Sequence, residues 1–131
     1  MTVYVLFYDY YEDSIVKGVF SFSGKEKKML EFAQLGKDMI AAEMPDLENT
    51  LDYYLREAKD HFRKSDALFR EGTKESRHNG KKEQTLGLSM KYNAESYQEK
   101  IQKYKNYTDK DFANYYLESE NLSFMEFELN E

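Results

Sequence analysis

The stretch that decides the fold is VYVLFYDY, Val3 to Tyr10, followed after Tyr11-Glu12-Asp13-Ser14 by IVKGVFSF, Ile15 to Phe22. β-branched and aromatic residues fill both runs, and neither run has a helical period, so each reads as a strand. The four residues between them supply turn chemistry, which makes the pair an antiparallel hairpin. Gly18 marks a bulge or a point of close packing in the second strand. Both faces of the hairpin are apolar: Val3, Val5 and Phe7 lie on one, Tyr4, Leu6 and Tyr8 on the other. A sheet with one wet face would alternate more cleanly. Something should therefore cover the second face, either a helix or another copy of the chain.

Outward from the hairpin the pattern turns helical. Ser23 and Glu26 fit a capping box, and a first helix is expected from Gly24 to Met44, stopped by Pro45. Met29, Ala33, Ile40 and Met44 line one side of it, with Phe32 and Met39 nearby. Asp46 can cap a second helix, Leu47 to Glu71, with a stripe of Leu47, Leu51, Tyr54 or Leu55, Ala58, Phe62 and Phe69. Gly72 to Lys82 (GTKESRHNGKK) loses this period and reads as a loop. A further helix is expected from about Gln84 to Tyr107, with Leu86, Met90, Tyr97, Ile101 and Tyr104 in phase. Gly87 disfavours its first turn by about 1 kcal/mol relative to Ala. Thr108 and Asp111 repeat the capping signature ahead of a short helix through Phe112, Tyr115, Tyr116 and Leu117, which Ser119 to Asn121 ends. In the last strand, Phe124 to Leu129, Met125, Phe127 and Leu129 should be inward and Glu126 and Glu128 outward.

A helix of about 24 residues spans roughly 36 Å, whereas an eight-residue strand spans about 26 Å. The long helices should therefore project beyond so small a sheet. The fold class expected is α+β: a small antiparallel sheet of the N-terminal hairpin plus the C-terminal strand, one packed helix, and a projecting helical hairpin. With 131 residues there is room for a single domain, with a body of 1–45 and 108–131 and an arm of 46–107.

Composition narrows the function classes. Charged residues make up 34 % and mean hydropathy is −0.87, yet 9 Phe and 12 Tyr provide enough apolar surface for a core. Without Cys there are no disulfides and no thiolate metal sites. No apolar run approaches the ~18 residues of a membrane span, and the first residues lack the basic region of a signal peptide. The expectation is a soluble protein of the cytoplasm, with no membrane partner.

The net charge of −6 is unevenly placed. Acids and bases balance through Tyr107; beyond it seven acids (Asp109, Asp111, Glu118, Glu120, Glu126, Glu128 and Glu131) face Lys110 alone. That excess reads either as a patch aimed at a basic partner surface or as a solvated face. No basic stripe supports direct binding of nucleic acid.

Few residues suggest chemistry. His61 has Glu57 four residues before it, which is a proton-shuttling pair or an ordinary surface pair. His78 lies in RHNGKK, a fragment without the second ligand or strand frame of a His-containing nuclease. Gly80-Lys81 lacks the spacing and the following Ser or Thr of a phosphate loop. No catalytic, cofactor-binding or metal-ligating set emerges, and no cofactor is expected. The Asn106-Tyr107-Thr108 and Asn121-Leu122-Ser123 sequons read as chance matches. The Tyr surplus, including Tyr115 and Tyr116, is more suggestive, because Tyr is enriched at interfaces.

The two ends of the chain also carry a resemblance. Val3-Tyr4-Val5-Leu6, Gly18-Val19-Phe20-Ser21 and a Lys/Glu-rich helix start, together with the closing Phe124 to Glu131, resemble short accessory proteins of bacteriophages and prophages. The helical middle has no counterpart in that pattern. The resemblance implies a protein that binds and blocks host machinery, anti-defence and anti-CRISPR factors included.

The function expected is a non-enzymatic binding protein that inhibits a host protein by occlusion, the host protein being one that binds nucleic acid, and that forms a homodimer. Partner contacts are assigned to Glu118, Glu120, Glu126, Glu128, Tyr115, Tyr116, Arg70, Arg77 and Lys81. The alternative is an oligomeric sponge for a nucleotide signal, with phosphate contacts from Arg63, Arg70, Arg77, Lys81 and Lys82.

Overall fold

Strand-forming residues from both ends of the chain meet in one antiparallel sheet. The structure, a computed structural model, describes residues 1–10 and 13–130. Its elements are β1 (Thr2–Tyr10), β2 (Asp13–Phe20), α1 (Phe22–Glu71), α2 (Lys74–Lys105), α3 (Asp109–Ser119) and β3 (Leu122–Glu128). The sheet order is β2-β1-β3, so the N-terminal hairpin and the C-terminal strand do build one small antiparallel sheet. The fold is α+β with a long helix pair. Tyr11 and Glu12 of the expected turn lie outside the described residues, and Asp13 and Ser14 already belong to β2.

Two compact units divide the chain: residues 1–42 with 107–131, and residues 43–106. In the first, the N-terminal part of α1 and all of α3 pack on one face of the sheet. Leu6 from β1, Phe32 and Ala33 from α1, and Ala113 and Leu117 from α3 form the buried cluster. Phe20, Phe124 and Tyr116 close its edges, the Tyr116 ring stacking on Phe32 at 5.1 Å. Gly36 lets α1 and α3 touch backbone to backbone; a Cβ there would lie 2.0 Å from the Phe112 carbonyl oxygen.

In the second unit α1 and α2 run antiparallel with a seven-residue repeat on α2. Gly80, Gly87, Ala94 and Ile101 are buried along one row, and Ser76, Glu83, Met90, Tyr97 and Tyr104 are buried or half-buried along the next. Small residues bring the helices close. Phe69 lies over Gly80 and Phe62 over Gly87, while the buried Ser65 hydroxyl donates to the Gly80 carbonyl at 3.0 Å.

Several expectations need correction. Pro45 does not end a helix: α1 runs unbroken for 50 residues with Pro45 inside it, and Asp46 caps nothing. A proline at this place leaves only the Ala41 carbonyl without its usual donor. Both residues are exposed, so water can serve that oxygen. The loop expected at 72–82 shrinks to Gly72 and Thr73. Gly72 takes a left-handed φ of 72°, and Thr73 with Ser76 forms a reciprocal capping box that starts α2 at Lys74. Leu86 is exposed and lies outside the helix seam, as does Leu55. The cap of α1 is Ser21, whose hydroxyl accepts from the Gly24 amide at 3.2 Å, not Ser23 with Glu26. The Thr108–Asp111 capping box is present as read.

The last strand faces the other way from the expectation. Leu122 and Phe124 point to the helices, whereas Met125, Phe127 and Leu129 are exposed. Alternation alone shows which residues share a face, and here the covered face ends after Phe124.

Candidate protein-interaction face

The sheet has helices on one face only, and the second apolar face is open in the chain. Pairing within β1 and β3 puts Val3, Val5 and Phe7 beside Phe127, Met125 and Ser123. On β2 the register shifts between Leu6 and Phe7, whose partners are Gly18 and Val16, so Lys17 is the extra residue of a bulge. The bulge decides the chemistry of the open face. It places Val16 opposite Phe7 and Val19 opposite Val5, so both valines join that face. Lys17 turns to the helix-covered side, with its ammonium 5.6 Å from the Tyr8 ring centre. Gly18 also packs tightly, since a Cβ there would meet the Phe20 ring at 2.7 Å.

The face that results is apolar and accessible. Val16 is 54 %, Val19 61 %, Met125 52 % and Phe127 41 % exposed. The Phe7 and Phe127 rings meet edge-on at 6.3 Å and form a ridge across it. Among the described residues Asp9, at one end, is the single charged side chain on this face. Its carboxylate accepts from the Ser14 hydroxyl at 3.1 Å and the Ser123 hydroxyl at 3.2 Å. The backbone of paired strands is already ordered before it binds, so such a face presents hydrophobic area at a lower entropic cost than a loop would.

The residues assigned to partner binding are scattered rather than gathered on that face. Tyr116 is in the core edge on Phe32 and, with Glu120, lines a cleft of about 390 Å³ beside Tyr8, Lys17 and Lys28. Tyr115 is half-buried, and its carbonyl accepts from the Ser119 hydroxyl. Glu118 is exposed at the end of α3. Glu126 and Glu128 sit opposite Tyr4 and Thr2, on the sheet face shared with Leu6. Glu128 accepts from the Thr2 hydroxyl at 2.6 Å and from the Met1 ammonium at 3.1 Å, and these bonds, the Thr2 one foremost, hold its carboxyl below the usual range. Arg70 ends α1, while Arg77 and Lys81 are exposed on the first turns of α2. Arg77 Nε points to the Thr73 carbonyl at 3.4 Å. Arg63 faces Asp60 at 3.8 Å.

His61 has a partner that the sequence reading missed. Its Nδ1 is 2.5 Å from Glu83 on α2, while Nε2 is 3.9 Å from Glu57. All three are half-buried, in or beside the helix seam. Among the described residues no three His, Cys, Asp or Glu side chains are grouped to hold a metal ion. No helix among them is long and apolar enough to cross a membrane. No family model, curated protein or solved structure matches the chain.

Proposed function

We propose that the protein is a non-enzymatic binding protein whose work is association with protein through the open sheet face. The observation that carries this reading is the exposure of Val16, Val19, Met125 and Phe127 together on one side of a sheet whose other side is filled by helices. Apolar residues scattered singly over a surface are ordinary, but contiguous ones on a rigid element mark contact sites. The face is neither concave nor polar, which suits a protein surface better than a small substrate. The acidic residues Glu118 and Glu120 lie away from it, on and just beyond α3, so they stay solvated when the apolar face is covered.

A photo-reactive benzoylphenylalanine placed at Val19, in the cells that encode the protein, tests this reading. Irradiation should yield protein adducts at Val19 and not at Tyr92, an exposed helix residue used as control. No adducts at Val19 beyond those at Tyr92 would refute it.

A further inference from the structure

We propose that a second copy of this chain covers the open face, the two sheets stacking about a two-fold axis that crosses the strands. This rests on the reading of that face as a protein-binding surface and names its occupant. Area comes first. Three strands about 4.8 Å apart and about eight residues long give a footprint of roughly 14 by 26 Å. With side-chain relief that is on the order of 500 Å² per copy, or about 1,000 Å² for the pair, the lower bound for specific association. An area of that size suits a reversible dimer rather than an obligate one. Stacked sheets sit about 10 Å apart with interleaved side chains. The Phe7–Phe127 ridge and the valines of β2 provide that relief.

Charge selects the orientation. At a net charge of −6, most encounters between copies are repulsive. Among the described residues Asp9 is the only charged side chain on the open face, so stacking there buries apolar surface while the remaining charges stay solvated. An axis along the strands would set the two Asp9 carboxylates side by side. An axis across the strands puts them at opposite ends, roughly 20 Å apart, well beyond the ~8 Å screening length at physiological salt. The Ser14 and Ser123 hydroxyls hold each carboxylate at the rim. Such an interface is isologous, with the same patch on both copies.

Sedimentation velocity of the intact protein, from roughly 1 to 500 µM, tests the proposal. The expected mass rises with concentration from 15.6 kDa to twice that, with a midpoint in the micromolar range. Val19→Lys and Val16→Lys, both at exposed edge-strand positions, should each raise the midpoint about tenfold or more with the circular dichroism unchanged. Asp9→Asn should leave it within about threefold; tightening beyond about tenfold would overturn the crossed orientation. A monomer at every concentration, or a dimer indifferent to both lysines, overturns the proposal. If that monomer still yields Val19 photo-adducts with another protein, only the second copy is refuted as occupant. If it yields none, the binding face itself is refuted.

Discussion

Replacing Gly36 by alanine should destabilise the protein by about 2 kcal/mol or more, although alanine is the better helix former. Gly36 lies inside α1, where the exchange alone should gain about 1 kcal/mol. The added Cβ, however, would stand 2.0 Å from the Phe112 carbonyl oxygen and 2.7 Å from its carbon. Both are backbone atoms of α3 and have no rotamer into which to retreat. To restore ordinary contact α3 must withdraw by more than about 1 Å, carrying Ala113 and Leu117 away from Leu6, Phe32 and Ala33. Overpacking of this kind costs about 1–3 kcal/mol, and loosening of the core adds to it. At about 3–5 °C per kcal/mol for a chain of this size, the melting midpoint should fall by roughly 6–10 °C. Gly87→Ala is the internal control. Its Cβ would meet the Phe62 ring at 2.9 Å, but a half-buried ring can turn aside, so the net change should stay within about 1 kcal/mol. Urea titrations of the three proteins, followed by circular dichroism, measure both differences. A Gly36→Ala variant as stable as the parent would refute the close approach of α1 and α3.

Other consequences follow from the same geometry. Pro45→Ala should raise stability by on the order of 1–2 kcal/mol, the helix-interior cost of Pro offset partly by the freer unfolded chain; a thermal melt showing no gain would mean that α1 is two helices. Trypsin should cut first after Arg70 or Lys74, beside the two-residue turn, and slowly after Lys81, which mass spectrometry of early fragments can check. The Glu128 carboxyl titrates below its usual range, so its support of the β1–β3 pairing is present above the unfolded carboxylate pKa and lost as pH falls through the lower folded value. Thr2→Val should move that titration, followed by NMR, up towards the ordinary carboxylate range.

How much of this was legible depends on the kind of signal each element carries. The strands of the hairpin and the Thr108–Asp111 cap could be read because their chemistry is local. The first half of α2 could not be read from apolar spacing, because its seam is built of Ser76, Gly80, Glu83 and Gly87. Only the seven-residue recurrence of small residues, continued by Ala94, marks it. Pro45 misled for the opposite reason: its local preference for a break loses to packing on both sides of it. The open face was half-visible. Its strand residues could be listed from the alternation in β1, yet the bulge at Lys17 shifts the phase within β2, and the side of β3 that meets the helices depends on tertiary packing. The residues assigned to partner binding came from charge and residue type, which say nothing of assembly in space, and the structure gathers apolar strand residues instead.

Because the chain has no cysteine, Val19→Cys creates the sole thiol, and its labelling rate reports directly on whether the open face becomes covered. The rate should fall as protein concentration rises through the micromolar range, while a lone Cys at Tyr92 reacts at one rate throughout. Equal and concentration-independent rates at the two positions would contradict the second copy as the occupant of that face.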